Sequence, residues 1–394
     1  MDARWIALAV LTTARASMGY QFQSLAAVSP LLIDDFGLGY ADVGFLIGLY
    51  FLPGVALAVP GGLLGQRFGD KRIVLVGLAL MTLGGFCAAL AESYGLLLVG
   101  RLLSGFGAVL LNVLMAKMIT DWFANREIVL AMAIFINAFP IGIGLALLSL
   151  GWIAESADWH VALHTTAMVT AAALLLVMTL YQRHSNDQLV QRSGSPPERP
   201  TSQEITQVCI AGAIWGVYNG VFAILLGFTP LLLADQGRAV AEAGFTVSLA
   251  TWLIAVSVQA GGTIAHQWGR PHTLMLIGIG SFGLGLLLLP ITSPALMLLL
   301  IGLVGGLPVA IILSLPAEVL RPASRGLGMG LFYTCFYAGM TGLPSIAGWL
   351  RDFSGSAAMP LYLGSAFMLS ILPLYGLFRY RQGRWATPAH LASD

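Results

Sequence analysis

The sequence predicts an all-α integral membrane protein, with twelve transmembrane helices arranged as two pseudo-symmetric six-helix bundles. Two observations support this prediction. The chain of 394 residues is 58% hydrophobic and only 9% charged, whereas roughly 25% of the residues of a typical soluble domain are charged. In addition, several residue patterns recur at a spacing of 200 residues, which indicates two copies of one structural unit.

The repeat extends over most of each half of the chain. The Pro-Leu-Leu sequence at 30–32 recurs at 230–232, and a glycine pair at 61–62 recurs at 261–262. Single positions that also match are Asp35 and Asp235, Ala138 and Ala338, and Gly142 and Gly342. Two like halves in an apolar chain are typical of alternating-access carriers, so the repeat indicates a transporter.

Twelve apolar stretches are long enough to cross a bilayer core, for which about 20 helical residues suffice. They cover residues 5–33, 43–65, 73–91, 96–120, 128–150, 161–181, 205–233, 245–265, 273–291, 295–317, 327–349 and 361–378. A polar stretch at 182–204, rich in Ser, Pro and charged residues, is typical of a linker. We therefore predict an N-terminal bundle at 1–181, and a C-terminal bundle with a short tail at 205–394.

The basic residues predict the orientation in the membrane. Fourteen of the nineteen Lys and Arg residues fall in loops on the same side as the termini, and only Arg238 and Arg351 fall in loops on the other side. Cytoplasmic loops of membrane proteins are enriched in Lys and Arg. We therefore expect both termini and the linker in the cytoplasm, with the protein in the inner (plasma) membrane of a bacterium.

Two motifs resemble those of the major facilitator superfamily. Residues 61–72 read GGLLGQRFGDKR, similar to the superfamily's loop between spans two and three, although Gln66 replaces the usual acidic residue. In span four, Arg101 precedes Gly105 and Gly107, as in the superfamily's fourth helix. The resemblance implies the twelve-helix fold, transport without a cofactor, and a cytoplasmic latch that includes Gly62, Arg67, Gly69, Asp70 and Arg72.

Further features bear on the branch of the superfamily. An arginine within span one, Arg15, and two short, lightly charged halves most resemble the cyanate-permease-like branch. Residues 137–144 do not match the glycine ladder ending in Gly-Pro that is expected of antiporters, which disfavours a drug exporter.

Three basic residues fall within the predicted spans, where charged side chains are costly and mark functional sites by default. Arg15 lies about ten residues into span one, so it either binds an anionic group or donates to helix carbonyls. Arg101 either takes part in gating or a proton relay, or anchors the outer rim. Lys117 is explained by snorkelling and by pairing with Asp121 at i+4.

The acidic residues lie elsewhere, in loops, tails or span ends. Because proton-coupled carriers commonly use a buried carboxylate, either coupling uses other residues or the protein is a facilitator or an anion exchanger. The predicted cavity is net positive and favours anions.

Polar and aromatic residues within the spans are candidates for the substrate site. In lipid a buried amide either bridges helices or faces substrate, and both alternatives stay open for each residue. The spans that carry them match the helices that line the cavity in the superfamily. Together with Arg15 the candidates are Tyr20, Gln21, Gln23, Asn112, Asn137, Trp215, Tyr218, Asn219, Trp252, Gln259, Tyr333 and Tyr337.

Charged residues after spans four and ten occupy corresponding places. The superfamily resemblance implies that Asp121 with Arg126, and Glu318 with Arg325, form ion pairs that break as the halves rock. The alternative is ordinary cytoplasmic positive charge with helix capping.

These observations predict a monomeric transporter of a small solute, either secondary active or facilitative, whose substrate is an anion held by Arg15. A coupling proton or counter-anion is a further possible partner. The alternatives are a proton-coupled exporter of hydrophobic or cationic compounds and a non-transporting assembly or sensor protein. Enzymatic motifs are absent from the sequence, nothing indicates nucleic-acid binding, and the three cysteines show no disulfide or metal-site spacing.

Overall fold

The computed structural model describes residues 3–58, 60–123, 127–182, 199–321 and 324–386, which form sixteen helices and no strands. The first nine are α1 Ala3–Ala27, α2 Ser29–Phe36, α3 Tyr40–Leu49, α4 Leu52–Leu57, α5 Pro60–Phe68, α6 Asp70–Ala89, α7 Tyr94–Phe123, α8 Ile128–Ser156 and α9 Trp159–Leu180. The other seven are α10 Ser202–Asp235, α11 Val240–Trp268, α12 Pro271–Leu288, α13 Pro294–Gly305, α14 Val309–Val319, α15 Arg325–Ser354 and α16 Met359–Ala386.

The sixteen helices correspond to the twelve predicted spans, three of which are broken. Span one is α1 and α2, span two is α3 to α5, and span ten is α13 and α14. Within the described ranges, ten stretches are long and apolar enough to cross a membrane. One of the two remaining spans consists of α1 and α2, and the other consists of α15. Both contain several polar residues near the centre of the molecule, and these residues lower the mean hydropathy of the span.

The duplicated proline sequence has different effects in the two halves. Pro30 lies in the first turn of α2, where a missing backbone N–H costs little, and the chain breaks between α1 and α2 at Val28. Pro230 instead lies inside the continuous helix α10. The turn glycines are more alike, because Gly69 and Gly269 both have a positive φ, a region that favours glycine.

Close helix packing within each half depends on glycine. A Cβ atom added at Gly142 of α8 would lie 2.0 Å from the Ala16 carbonyl oxygen of α1. In the second half, a Cβ at Gly339 of α15 would lie 2.3 Å from the Gly216 carbonyl oxygen of α10. Because α1 and α8 are the repeat counterparts of α10 and α15, both halves use the same close pair of helices.

The membrane-spanning segments alternate in direction between two faces of the molecule. We call the face at which α1, α6 and α10 begin the terminal face, and the other one the opposite face. The halves meet where α3 and α4 contact α15, and where α8 contacts α11. A Cβ at Gly44 of α3 would lie 2.2 Å from the Pro344 carbonyl oxygen, and one at Gly244 of α11 would lie 2.4 Å from that of Leu147.

At the opposite face, polar contacts add to this packing. The Asp352 carboxylate, at the end of α15, accepts hydrogen bonds from the backbone N–H groups of Tyr40 (2.9 Å) and Ala41 (2.7 Å), at the start of α3. The Arg351 guanidinium lies 3.4 Å from the centre of the Tyr40 ring and donates to Asp235. The two halves are therefore closed against each other at the opposite face.

Some predicted features fall outside the described residues. These are most of the predicted linker, at 183–198, the end of the tail, at 387–394, and Arg126.

Candidate substrate site

A central cavity lies between the two halves. Its volume is about 190 Å³, which corresponds to roughly six water molecules at about 30 Å³ each. Residues from α1, α7, α8, α10, α11, α14 and α15 line it, together with Phe51 just before α4. The lining residues are Arg15, Met18, Phe22, Phe51, Asn112, Ile136, Asn137, Phe139, Pro140, Trp215, Tyr218, Asn219, Phe222, Ile254, Val258, Val309, Leu313, Tyr333, Phe336 and Met340.

Arg15 brings the charge into this cavity. Its Nη1 donates to Asn112 Oδ1 at 2.9 Å, and Asn112 Nδ2 donates to the Tyr337 hydroxyl at 3.1 Å. This chain of hydrogen bonds joins α1 and α7 of the first half to α15 of the second. The guanidinium carbon also lies 4.6 Å from the centre of the Phe135 ring, a cation–π contact.

The charge of Arg15 is not neutralised by a carboxylate. Arg15 takes part in none of the ion pairs found in the part of the chain that the structure describes. Its Nε is also buried and has no hydrogen-bond partner there. Besides tyrosines and Trp215, the cavity lining contains four polar residues. They are Arg15 and the asparagines Asn112, Asn137 and Asn219. The lining therefore has a formal charge of +1.

Aromatic rings form much of the cavity wall. Trp215 lies nearly parallel to Tyr218, with ring centres 5.8 Å apart and an interplanar angle of 7°. Phe336 faces Trp215 from the other helix of the pair at 5.9 Å, and Phe51 of the first half lies 5.9 Å from Phe336. The cavity thus combines one fixed positive charge with extensive ring surface.

The structure places several predicted site residues at this cavity. Arg15, Asn112, Asn137, Trp215, Tyr218, Asn219 and Tyr333 line it, and Tyr337 adjoins it through Asn112. Among the tyrosines, the Tyr218 hydroxyl donates to the Gly305 carbonyl at 2.9 Å. Asn219 Nδ2 donates to the carbonyl of Trp215 at 2.8 Å, one turn earlier on α10.

Other predicted site residues lie away from the cavity lining, which corrects the expectation. Tyr20 shares a hydrogen bond of 2.8 Å with Ser149, and Gln21 donates to the Met81 carbonyl at 2.7 Å. Gln23 donates across the halves to the Leu226 carbonyl at 3.0 Å. These side chains bridge helices, the alternative that the sequence left open.

Two more corrections concern α11. Gln259 Nε2 points to the Ala133 carbonyl of α8 at 3.4 Å, so it also connects the two halves. Trp252 packs against α8 at Gly144, where an added Cβ would lie 3.0 Å from the indole ring. Neither residue is among those that line the cavity.

The lining residues that sequence reasoning missed are apolar. Phe22, Phe51, Phe139 and Phe336 gave no signal, because a phenylalanine in a transmembrane span faces lipid, core or cavity with equal ease. The only available indication was helical spacing, which places Phe22 two turns beyond Arg15 on the same face of α1.

Comparison with known proteins agrees with the all-α membrane fold. The sequence model described as Major Facilitator Superfamily matches residues 10–344 and 209–390. The chain belongs to the major facilitator superfamily. It is therefore a multi-pass membrane protein of this transporter superfamily.

Superfamily relatives differ in their named substrates. The chain is 26% identical over 364 residues to the cyanate transport protein CynX of Escherichia coli, which covers 89% of this chain and 91% of that protein. It is 30% identical over 310 residues to the multidrug efflux pump LfrA of Mycolicibacterium smegmatis, covering 76% of this chain and 54% of the pump. A match to protein spinster homolog 1 of Rattus norvegicus, at 31% identity, covers 45% and 34%. The chain thus spans about half the length of the pump and a third of the spinster homolog.

Solved structures of superfamily transporters share the fold. The nucleoside transporter NupG superposes with a TM-score of 0.74 at 15% identity, covering 96% of this chain and 100% of that one. The peptide transporter POT gives a TM-score of 0.75 at 14% identity, covering 96% and 95%. At this level of identity the similarity concerns the fold alone.

The superfamily's fourth-helix arginine, Arg101, is anchored within the first half. Its position near a helix end had suggested that its head group reaches the outer interface. The residue is only 2% exposed, so the head group does not reach that interface. Its guanidinium donates to three backbone carbonyls, those of Leu46 (2.8 Å), Gln21 (3.0 Å) and Phe22 (2.7 Å). The contacts favour the structural alternative for Arg101 over gating or proton relay.

The superfamily's loop motif pairs its charges differently from the family pattern. Asp70, buried at the start of α6, binds Lys117 of α7, which also lies 3.6 Å from Asp121. Arg67 and Arg72 are exposed, and Gly62 lies within α5. The latch thus joins α6 to α7, with Gly69 supplying the turn before it.

The second predicted rim pair differs from the expectation. Glu318 accepts hydrogen bonds from Arg379 and Gln382 of α16, at 2.5 and 3.1 Å, rather than from Arg325, which is exposed. The physical reason is that Glu318 ends α14 beside α16, whereas Arg325 begins α15 beyond the intervening loop. The ion pair therefore holds helices of one half together.

Proposed function

We propose that this transporter carries a small anionic solute by alternating access, with Arg15 as its principal binding group. The observation that carries the proposal is the guanidinium of Arg15, which lines the central cavity and has an asparagine rather than a carboxylate as its polar partner. A charge within the membrane is costly unless it is compensated. A bound anion would supply that compensation, whereas a cation would be repelled.

The arrangement of the halves supports a rocking mechanism. The halves are closed at the opposite face by the Asp352 cap and the α3–α15 packing. The distribution of Lys and Arg supports cytoplasmic termini and a location in the bacterial inner membrane. In that orientation the state seen here has its external side closed. We further propose that the protein works as a monomer.

The relatives support two candidate substrate classes. The similarity to a cyanate transport protein over nearly its whole length agrees with an anion. The similarity to a multidrug efflux pump, together with the aromatic cavity wall, favours the second candidate, proton-coupled export of hydrophobic or cationic compounds. That candidate requires a titrating group in the cavity, and the lining residues of the described chain include no Asp, Glu or His.

Transport by purified protein in proteoliposomes tests the proposal. Counterflow would be measured with cyanate, nitrate, acetate and benzoate, and with a cationic dye as the competing substrate class. We expect at least one anion to be transported, and Arg15→Gln to reduce that transport at least tenfold. Arg238→Gln, which removes a half-buried arginine that pairs with Glu242 at the opposite face, is the matched control and should retain transport.

Two results would contradict the proposal. The first is anion transport that is unchanged in the Arg15→Gln protein. The second is transport of the dye, but of no anion, driven by a proton gradient.

A further inference from the structure

The wall of the central cavity defines the substrate more closely than its charge alone. Eight of the twenty lining residues are aromatic, although aromatic residues make up only 10% of the chain. Most of the others are aliphatic, so a bound solute would contact few polar groups apart from Arg15 and three asparagines. The site therefore has one polar end and a large apolar remainder.

A small inorganic anion fits this wall poorly. Such ions are strongly hydrated, and each hydrogen bond to water that is lost in an apolar cavity must be replaced by a protein donor. Arg15 already donates one of its N–H groups to Asn112. A larger anion that places its charge at Arg15 and buries an apolar body against the rings gains from both parts of the site.

The rings also favour a flat body over a globular one. Trp215 is within 7° of parallel to Tyr218 and within 22° of parallel to Phe336. Flat aromatic solutes stack against ring faces of this kind, with centres about 4.5–7 Å apart. A saturated ring of the same size lacks the π-system and would stack less well.

One further donor lies at the cavity. The indole N–H of Trp215 is buried and has no hydrogen-bond partner within the described chain, and Trp215 lines the cavity. Buried donors without partners are uncommon, and each one calls for an explanation. An acceptor carried by the substrate would satisfy this group.

We infer that the substrate is a planar aromatic monocarboxylate with a hydrogen-bonding substituent on its ring. The carboxylate binds Arg15, the ring packs against Phe336 and Phe51, and the substituent meets the edge of Trp215, where it accepts from the indole N–H. This inference rests on the proposed function, because it names the substrate class of the same site.

Calorimetric titration of the purified full-length protein tests the inference with five compounds. These are 4-hydroxybenzoate, benzoate, cyclohexanecarboxylate, acetate and the uncharged benzamide. We expect 4-hydroxybenzoate to bind most tightly, and benzoate to bind at least tenfold more tightly than cyclohexanecarboxylate or acetate. Benzamide should bind at least tenfold more weakly than benzoate, because it lacks the charge.

A variant of Trp215 separates the two parts of the site. Trp215→Phe keeps a ring face but removes the N–H, so it should reduce the preference for 4-hydroxybenzoate over benzoate at least threefold. Trp349→Phe, an exposed tryptophan on α15, is the matched control and should leave both affinities unchanged. Thermal unfolding of each variant verifies that it is folded before its affinity is compared.

The possible failures are distinguishable. If acetate binds as tightly as benzoate, and its binding is lost in Arg15→Gln protein, the aromatic assignment is wrong and the anion proposal stands. If benzamide binds as tightly as benzoate, or if no anion binds, both the assignment and the anion proposal are overturned. An unchanged preference in folded Trp215→Phe protein refutes the role of the indole N–H.

Discussion

Two arginines within the membrane-spanning helices, Arg15 and Arg101, differ in how their guanidinium groups are satisfied. Arg101 donates to three backbone carbonyls and lies 4.5 Å from the centre of the Tyr50 ring. Arg15 has a single side-chain acceptor, Asn112, and retains a buried Nε without a partner. Both positions are apparent in the sequence, but the acceptors depend on how the helices pack: those of Arg101 come from α1 and α3, and that of Arg15 comes from α7.

Replacing Asn112 by Asp should weaken anion binding. The new carboxylate would stand about 3 Å from the Arg15 guanidinium and neutralise the charge that attracts the solute. We expect Asn112→Asp to weaken binding of the transported anion at least tenfold, measured by calorimetric titration. Asn112→Gln, which keeps the amide, should lose less than Asn112→Asp. Equal losses in the two variants would show that charge is not the deciding property.

Arg101→Lys should reduce stability without changing the substrate affinity of the folded protein. A lysine ammonium cannot reach all three carbonyls in the fork geometry that a guanidinium provides. Losing two of these hydrogen bonds should cost about 2–4 kcal/mol, seen as a lower unfolding temperature in detergent. A fully stable Arg101→Lys protein that no longer transports would instead support a gating role for Arg101.

At the scale of helices, glycine controls how closely the halves approach. Gly44 and Gly48 of α3 each face the α15 backbone, at Pro344 and Thr341, with an added Cβ 2.2 Å from a carbonyl oxygen. Backbone atoms cannot yield to such contacts as a flexible side chain can. The α3–α15 contact therefore tolerates only glycine at these two positions in the closed state.

Gly44→Val should shift the protein towards a state that is open at the opposite face. The added side chain keeps α3 from packing against α15, while each half retains its own internal contacts. We expect increased labelling of a cysteine introduced at Ala41 by a membrane-impermeant reagent. Gly342→Ala on α15 is the matched control, since a Cβ there meets nothing within 4 Å. Unchanged labelling in Gly44→Val would contradict the proposed opening.

At the scale of the whole molecule, hydropathy predicted an all-α membrane fold and the motifs at 61–72 and at Arg101 indicated the superfamily, and the comparisons confirm both. The predicted spans coincide with the helices except at breaks such as the one at Val28. Arg15 and Asn112 were found from the sequence because polar residues within apolar spans are conspicuous. Phe51 and Asp352 were not found from the sequence. A phenylalanine in a span and an aspartate at a helix end are both common, and only the tertiary structure shows which residues they contact.

A cross-link at the opposite face should stop the transport cycle reversibly. A Cβ at Gly151 of α8 would lie 3.2 Å from the Cα of Ala241 of α11, close enough for a disulfide between the halves. In a protein without its native cysteines, Gly151→Cys with Ala241→Cys should lose transport on oxidation and recover it on reduction. Each single variant serves as control. Continued transport by the fully cross-linked protein would rule out rocking about this contact.

The uncompensated charge of Arg15 has an electrical consequence. If the cavity alternates between the two sides of the membrane, the empty carrier moves a net positive charge through the electric field, whereas the carrier loaded with a monoanion moves none. Each elementary charge is worth about 2.3 kcal/mol per 100 mV. The voltage across the membrane would therefore act on the return of the empty carrier alone, and with cytoplasmic termini an inside-negative potential would favour the state seen in this structure.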